Sequence, residues 1–349
     1  MGTPLPLCDD DNIVAVLLQG SGDKAFCAGG NIRKLYDSMV ENPPLPNPYA
    51  EIFFQSEYGL FRTMHFYPKP IVLWGNGIVM GGGMGLMAMC SHRVVTDTTR
   101  FAMPEITIGL YPDATGSWLL QRMPAKSGLF LGLTGANCNA ADAMMVNMAE
   151  CAVSSEQYDD VVRALTSAQW SNNKDLHDTV THALGQIHHT EHLAPSNIAT
   201  HWQLISDVVN KGDINDIDSA LRDPQLLEQY ADDKWVVRAV QSYQHGCPVS
   251  AALTFEIFKR AKKLSLEQTL FMEYNLSIRC ADNPDFREGV RALLIEKDRT
   301  PNWSKTLAQC DKAYINAHFT SAYPQGEHPF EAWLGTGSLS AKSINLSAN

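Results

Sequence analysis

Apolar positions in this chain follow two different patterns. Continuous apolar runs at residues 13–19 (IVAVLLQ) and 69–74 (KPIVLW) predict short buried strands. Elsewhere apolar residues recur at helical spacing. Residues 49–66 place Phe53, Leu60, Phe61 and Met64 on one side, and residues 266–280 do the same with Leu266, Leu270, Tyr274 and Ile278. Helices are also predicted from Asn31 onward in NIRKLYDSM, and over 156–170, 198–209, 224–244 and 248–263. Residues 117–150 read as helix, turn, helix around Thr134-Gly135. Asn283-Pro284 ends one helix, and DFREGVRALLIEKD starts another that stops before Pro301. From Tyr323 onward the chain is rich in Gly, Ser and Asn and reads as a loose tail.

Glycine changes this picture in two places. The strand at 69–74 runs into GNGIVMGGGMGLMAMC, where Gly81, Gly82 and Gly83 separate a strand from a small, apolar helix. Glycine there lets backbone approach a neighbour closely, and the first N–H groups of a helix are unpaired donors. Tight packing alone would also call for these glycines. Gly75, Gly77 and Gly81 do not keep the G-x-G-x-x-G spacing of a dinucleotide site. The strand at 13–19 ends likewise in a glycine-bearing loop, KAFCAGGN. Two carboxylates follow the second glycine loop, Glu105 in FAMPE and Asp113 in YPD.

Charge and cysteine content narrow the class. There are 27 basic and 38 acidic residues, a net charge of −11, and no basic run, which argues against non-specific nucleic-acid binding. Eight cysteines lie scattered without C-x-x-C pairs, a pattern of reduced thiols in a cytoplasmic or mitochondrial-matrix setting. No apolar run is long enough for a membrane span. HHTEH at 188–192 has no partner ligands at metal-site spacing, so no metal is expected.

The pair KAFCAGGNI and GIVMGGGMGL, continued by FAMPEITIGLYPDATGSWLLQRM, LTGANCNAADAM and DFREGVRALLIEKDRTPNW, resembles the crotonase (enoyl-CoA hydratase/isomerase) superfamily over residues 13–303. The resemblance implies an α/β fold, the ClpP-like spiral of β-β-α units, with a helical C-terminal region. It also implies opening strands that are missing from this sequence. The expected division is an acyl-CoA-binding core over 1–195 and a helical region with a loose tail over 196–349. By position, the peptide N–H groups of Gly30 and Gly82 form an oxyanion hole for an acyl-CoA thioester, and Lys24 and the Ala28 backbone lie near the CoA adenine. CoA belongs to the substrate, so no separate cofactor is implied, and the family's habit is a homo-oligomer, trimer or hexamer.

The carboxylates then select the reaction. Hydratases of the superfamily share the catalytic water between two glutamates. One matches Glu105, and the other falls at position 85, which is glycine here. Asp113 stands where hydratases usually have glycine, and Glu57 matches a helix glutamate that faces the active site in the 3-hydroxyisobutyryl-CoA hydrolase branch. The sequence therefore predicts hydrolysis of a short branched 3-hydroxyacyl-CoA, with Glu105 and Asp113 catalytic and Glu57 lining the acyl pocket. Hydration or isomerisation with Glu105 as single base, and an inactive acyl-CoA-binding protein, are the alternatives.

Overall fold

The computed structural model describes residues 7–41, 43–171 and 175–334. The described residues form eight strands in two sheets. β1 (Val16–Gln19), β3 (Ile71–Gly75), β5 (His92–Thr96) and β8 (Cys151–Val153) form one sheet in that order, all parallel. β2 (Ala25–Cys27), β4 (Ile78–Met80), β6 (Arg100–Ala102) and β7 (Cys138–Asn139) form the other, parallel except for the β6–β7 pair. The first three turns of chain each add one strand to each sheet and then helix, so the fold is the crotonase spiral of β-β-α units; β7 and β8 follow with α6 (Ala140–Met145) between them. β3 is buried along its whole length, which is why its sequence is a continuous apolar run.

Chain contacts divide the molecule into two units interleaved in sequence. The first holds residues 1–29, 59–102 and 137–202; the second holds 30–58, 103–136 and 203–349. The division expected after residue 195 falls near the last of these crossings, and two earlier segments join the second unit. All eight strands lie in the first unit. Its core packs Val72, Trp74 and Val94 of the sheet against α7 (Tyr158–Thr166) and α8 (Leu176–Gly185) through Val161, Leu165, Val180 and Leu184.

The described part of the second unit is helical. It contains α1 (Ile32–Val40), α2 (Pro48–His65) as far as Tyr58, α4 (Gly116–Leu120), α5 (Ser127–Thr134) and the C-terminal helices. Asn31 caps α1, its side chain accepting the Lys34 N–H at 3.2 Å. α2 buries Ala50, Phe54, Tyr58, Phe61 and Met64, while Leu60 is 40% exposed. The apolar face expected there is thus rotated, because the buried stripe includes a tyrosine whose hydroxyl finds partners inside. The region 117–150 contains the two-residue strand β7 besides its helices, too short to show a period in sequence.

The tail also departs from expectation as far as it is described. Tyr323 donates to Glu51 Oε1 at 2.7 Å and stacks on Tyr274, His328 stacks on Phe271 with centroids 3.8 Å apart, and Phe330 is buried. Aromatic residues dock this segment, and its polar composition concealed them. Residues 335–349, the rest of the expected loose tail, lie outside the described residues, as do residues 1–6. No described helix is long and apolar enough to cross a membrane, and all eight cysteines are free thiols.

Candidate active site

In the first unit, two backbone loops meet. β2 ends at Cys27 and leads through exposed Ala28 to Gly29. β4 leads through Gly81, at φ +53°, into α3 (Gly82–Met89). A Cβ at Gly83 would overlap the Cys27 carbonyl, so only glycine lets the start of α3 lie against the end of β2. A Cβ at Gly29 would stand 3.8 Å from the Gly82 nitrogen, which places the two glycine loops side by side. Both explanations of the GGG run therefore hold: it packs closely, and it presents the N–H groups of a helix start. Lys24 lies on the surface just before β2, and its carbonyl accepts the Ile78 N–H at 3.2 Å. Gly85 is buried within α3.

The carboxylates gather in the second unit. Glu105 opens a 3-10 turn, Glu105–Ile108, that is closed by Gly109 at φ +73°. Two helices pack on this turn. The Pro284–Val290 helix comes so near that a Cβ on Gly289 would overlap the Ile108 backbone, which accounts for glycine in DFREGVRA. The start of the Pro248–Arg260 helix is tied to it by Cys247 N–H donating to the Ile106 carbonyl at 2.9 Å. Glu105 is 4% exposed, and its Oε2 has no hydrogen-bond partner among the described residues.

Asp113 and Glu57 join it, and two further features were not predicted. Asp113 is buried, with Oδ2 2.7 Å from the Tyr58 hydroxyl. Glu57, half-buried, precedes that tyrosine on α2. Glu273, wholly buried on the Leu266–Asp282 helix, accepts the Thr115 N–H at 2.8 Å and the Ser117 N–H at 2.9 Å. It thereby holds the turn after Asp113, where Ala114 and Thr115 have φ +52° and +69°. One turn along the same helix, Ser277 lies 2.8 Å from the hydroxyls of both Tyr58 and Tyr111. Glu273 and Ser277 sit four apart inside FMEYNLSI. Polar residues at that spacing within the mostly apolar stretch 270–278 are the signal that could have exposed them.

Four carboxyls with only one another as charged neighbours all resist ionisation. Burial is the first cause for each, and the charges of the others add to it for Glu57, Glu105 and Glu273. Burial, then the Asp113 and Glu273 charges, brings Glu57 to about 8. Glu273 is likewise raised to about 8, by burial and Asp113. Glu105 is held well above the usual carboxylate range by burial and then by Asp113. Burial also raises Asp113, but the Tyr58 hydroxyl and nearby N–H groups restrain it to about 6. Carboxyls poised near neutral pH can exchange protons, and Glu105 offers a free oxygen for water or an acyl carbon.

Thus the structure brings Glu57, Glu105 and Asp113 together in one unit, and Ala28 and Gly82 together in the other. Gly30, the first residue of the second unit, follows Gly29 directly.

Comparison with known proteins gives these features a context. The enoyl-CoA hydratase/isomerase family model matches residues 6–319. The mitochondrial 3-hydroxyisobutyryl-CoA hydrolase of Danio rerio is 34% identical over 316 residues, 89% of this chain and 79% of that one. Its Homo sapiens counterpart is 31% identical over 315 residues, 89% and 78%. Among solved structures, a carnitinyl-CoA dehydratase from Mycobacterium thermoresistibile superposes with TM-score 0.76 at 35% identity, covering 91% of this chain and 88% of that one. An enoyl-CoA hydratase from Rhodobacter sphaeroides 2.4.1 gives 0.75 at 28%, covering 90% and 86%.

Proposed function

The chain belongs to the enoyl-CoA hydratase/isomerase family, and from that premise we propose that it hydrolyses a short branched 3-hydroxyacyl-CoA, 3-hydroxyisobutyryl-CoA, to the free acid and CoA. The observation that carries this reading is the buried Glu105 carboxylate with one oxygen unpartnered, set among Asp113 and Glu57. The names of the relatives described above support the same substrate, and their mitochondrial assignment favours the matrix over the cytoplasm.

In this reading the N–H groups of Gly30 and Gly82 receive the thioester oxygen as it becomes negative. Each such donor typically stabilises the tetrahedral intermediate by about 3–4 kcal/mol. Glu105 serves as nucleophile towards the carbonyl carbon or as general base towards water, and its raised proton affinity suits either base strength or proton return. Asp113 orients the substrate hydroxyl or shuttles a proton, and Glu57 lines the acyl pocket. Lys24 and the Ala28 backbone take the CoA adenine. Water supplies the acid's new oxygen, and the departing sulfur takes a proton, so no further cofactor is required.

A second reading, water addition to an enoyl-CoA, is favoured by the names of the two solved structures. It requires a second carboxylate on α3, where this chain has Gly85. Free-thiol release separates the readings. 3-Hydroxyisobutyryl-CoA should release CoA far faster than isobutyryl-CoA, because polar groups built for a hydroxyl are left unpaired without it. Crotonyl-CoA should gain no water. Efficient hydration of crotonyl-CoA, or equal hydrolysis of the two isobutyryl thioesters, would overturn the proposal.

A further inference from the structure

Gly30 opens the helical unit, and a ring from α2 fills the space beside it. A Cβ on Gly30 would stand 2.5 Å from Phe53 Cζ, 3.1 Å from Cε2 and 3.7 Å from Cε1, so the ring points its tip at the place a side chain would take. Gly30 does not have a left-handed φ, so what it gives the ring is room. Standard backbone geometry puts a Cβ about 2.5 Å from its own nitrogen. Phe53 Cζ therefore lies within about 5 Å of the Gly30 nitrogen. An acyl oxygen bonded to that N–H, about 2.9 Å away, has the ring tip as a near neighbour.

The rest of the helix face says where such a group would lead. Phe53 stands four residues after Tyr49, their ring centroids 6.5 Å apart, and four before Glu57. All three are half-buried, while the adjoining stripe of Ala50, Phe54 and Tyr58 is buried. Four helical residues rise about 6 Å, so one turn separates Phe53 from Glu57. An acyl group with its carbonyl oxygen at Gly30 and its hydroxyl at Glu57 must lay the carbon between them beside the Phe53 ring. We infer that Phe53 is a specificity-determining residue, the apolar wall for the second carbon of the acyl group, which admits a methyl branch there and excludes larger ones.

Chemistry and packing both suit the ring to this task. Glu57, Asp113 and Glu105 are carboxyls and give a hydrocarbon branch nothing to bury against, whereas the Phe53 ring keeps part of its apolar surface open. The ring also has little freedom to retreat. Its tip meets the Gly30 backbone, and the buried Phe54 ring crosses it at 86° with centroids 5.1 Å apart. A branch one methylene larger must push the ring out of this packing or pull the carbonyl away from its donor. The orientation of the acyl group rests on the proposed thioesterase reading; the contact between Phe53 and Gly30 does not.

The test compares two ketone analogues of acyl-CoA, in which CH₂ replaces the thioester sulfur so that neither can release CoA. One has the 3-hydroxyisobutyryl skeleton with its methyl branch at the second carbon; the other has ethyl there. Calorimetry on the native protein should give the methyl analogue a Kd lower by roughly ten-fold or more. In Phe53→Ala the ratio should fall to about one or invert, because the wall is gone. Phe53→Leu, with less reach, should lie between them, and it carries the test where Phe53→Ala does not fold. Ile52→Ala, next along the helix but 66% exposed, should keep the native ratio. A ratio taken within one variant is not moved by partial unfolding. A native preference under about ten-fold, a native ratio in the Phe53 variants, or an equal collapse in Ile52→Ala overturns the inference and leaves Phe53 as packing for Gly30. Failure of both analogues to bind overturns it too. Expected binding ratios without thiol release from 3-hydroxyisobutyryl-CoA would uphold Phe53 as the wall and sink the hydrolase reading alone.

Discussion

The two units handle charge in opposite ways. The sheet unit offers backbone donors at the start of α3 and around Gly29, with no ionised side chain in that helix. The helical unit gathers Glu57, Glu105, Asp113 and Glu273, and restrains them with hydroxyls and two backbone N–H groups. Donors for a developing negative oxygen are best fixed and neutral, because they then cost no reorganisation during reaction. Proton-handling groups are best left near their ionisation point, and mutual repulsion plus burial achieves that.

The largest expected effect lies in the helical unit. Glu105→Gln keeps the shape and removes the base, so thiol release should fall by roughly 10²–10⁴-fold while acyl-CoA binding by calorimetry persists. A near-native kcat would move the chemistry away from this turn. Asp113→Asn should lower kcat by a smaller factor, on the order of 10²-fold, with the thermal midpoint of unfolding little changed. A loss confined to KM would make Asp113 a binding group only.

Gly83→Ala probes the other unit. Its new Cβ meets the Cys27 backbone, which has no flexible end to yield, so the protein should lose roughly 1–3 kcal/mol in denaturant unfolding. Wild-type stability would show that the α3 start is less tightly placed than its geometry indicates. The smallest effect concerns pH. Glu57 binds its proton more tightly folded, to about 8, than unfolded. The folded state therefore holds more protons between about 4.3 and that value, and the Glu57 contribution to stability declines as pH rises through this window. In Glu57→Gln the decline of unfolding free energy over that range should be shallower; an unchanged slope would place Glu57 in water.

Local requirements were legible in the sequence. The glycine loops and the buried strand β3 could be read directly, since strand burial, close backbone approach and helix starts leave marks on consecutive residues; β1, expected to be buried as well, is only partly buried at the end of its sheet. The tail docked by Tyr323, His328 and Phe330 escaped, because three aromatic contacts with distant residues leave no local period.

The convergence of the acids escaped for the same reason. A glutamate on a helix looks alike in sequence whether it faces water or, like Glu273, grips a turn 156 to 158 residues away. Family likeness picked out Glu57 and Asp113, but Tyr58, Tyr111 and Ser277 gain their roles only where three separate segments pack. Sequence alone marked the backbone that presents donors, because a run of glycines between a strand and a helix is written in consecutive residues. Tertiary structure alone decided the proton affinities, because burial and the distances between charges arise only when the helices close around Asp113.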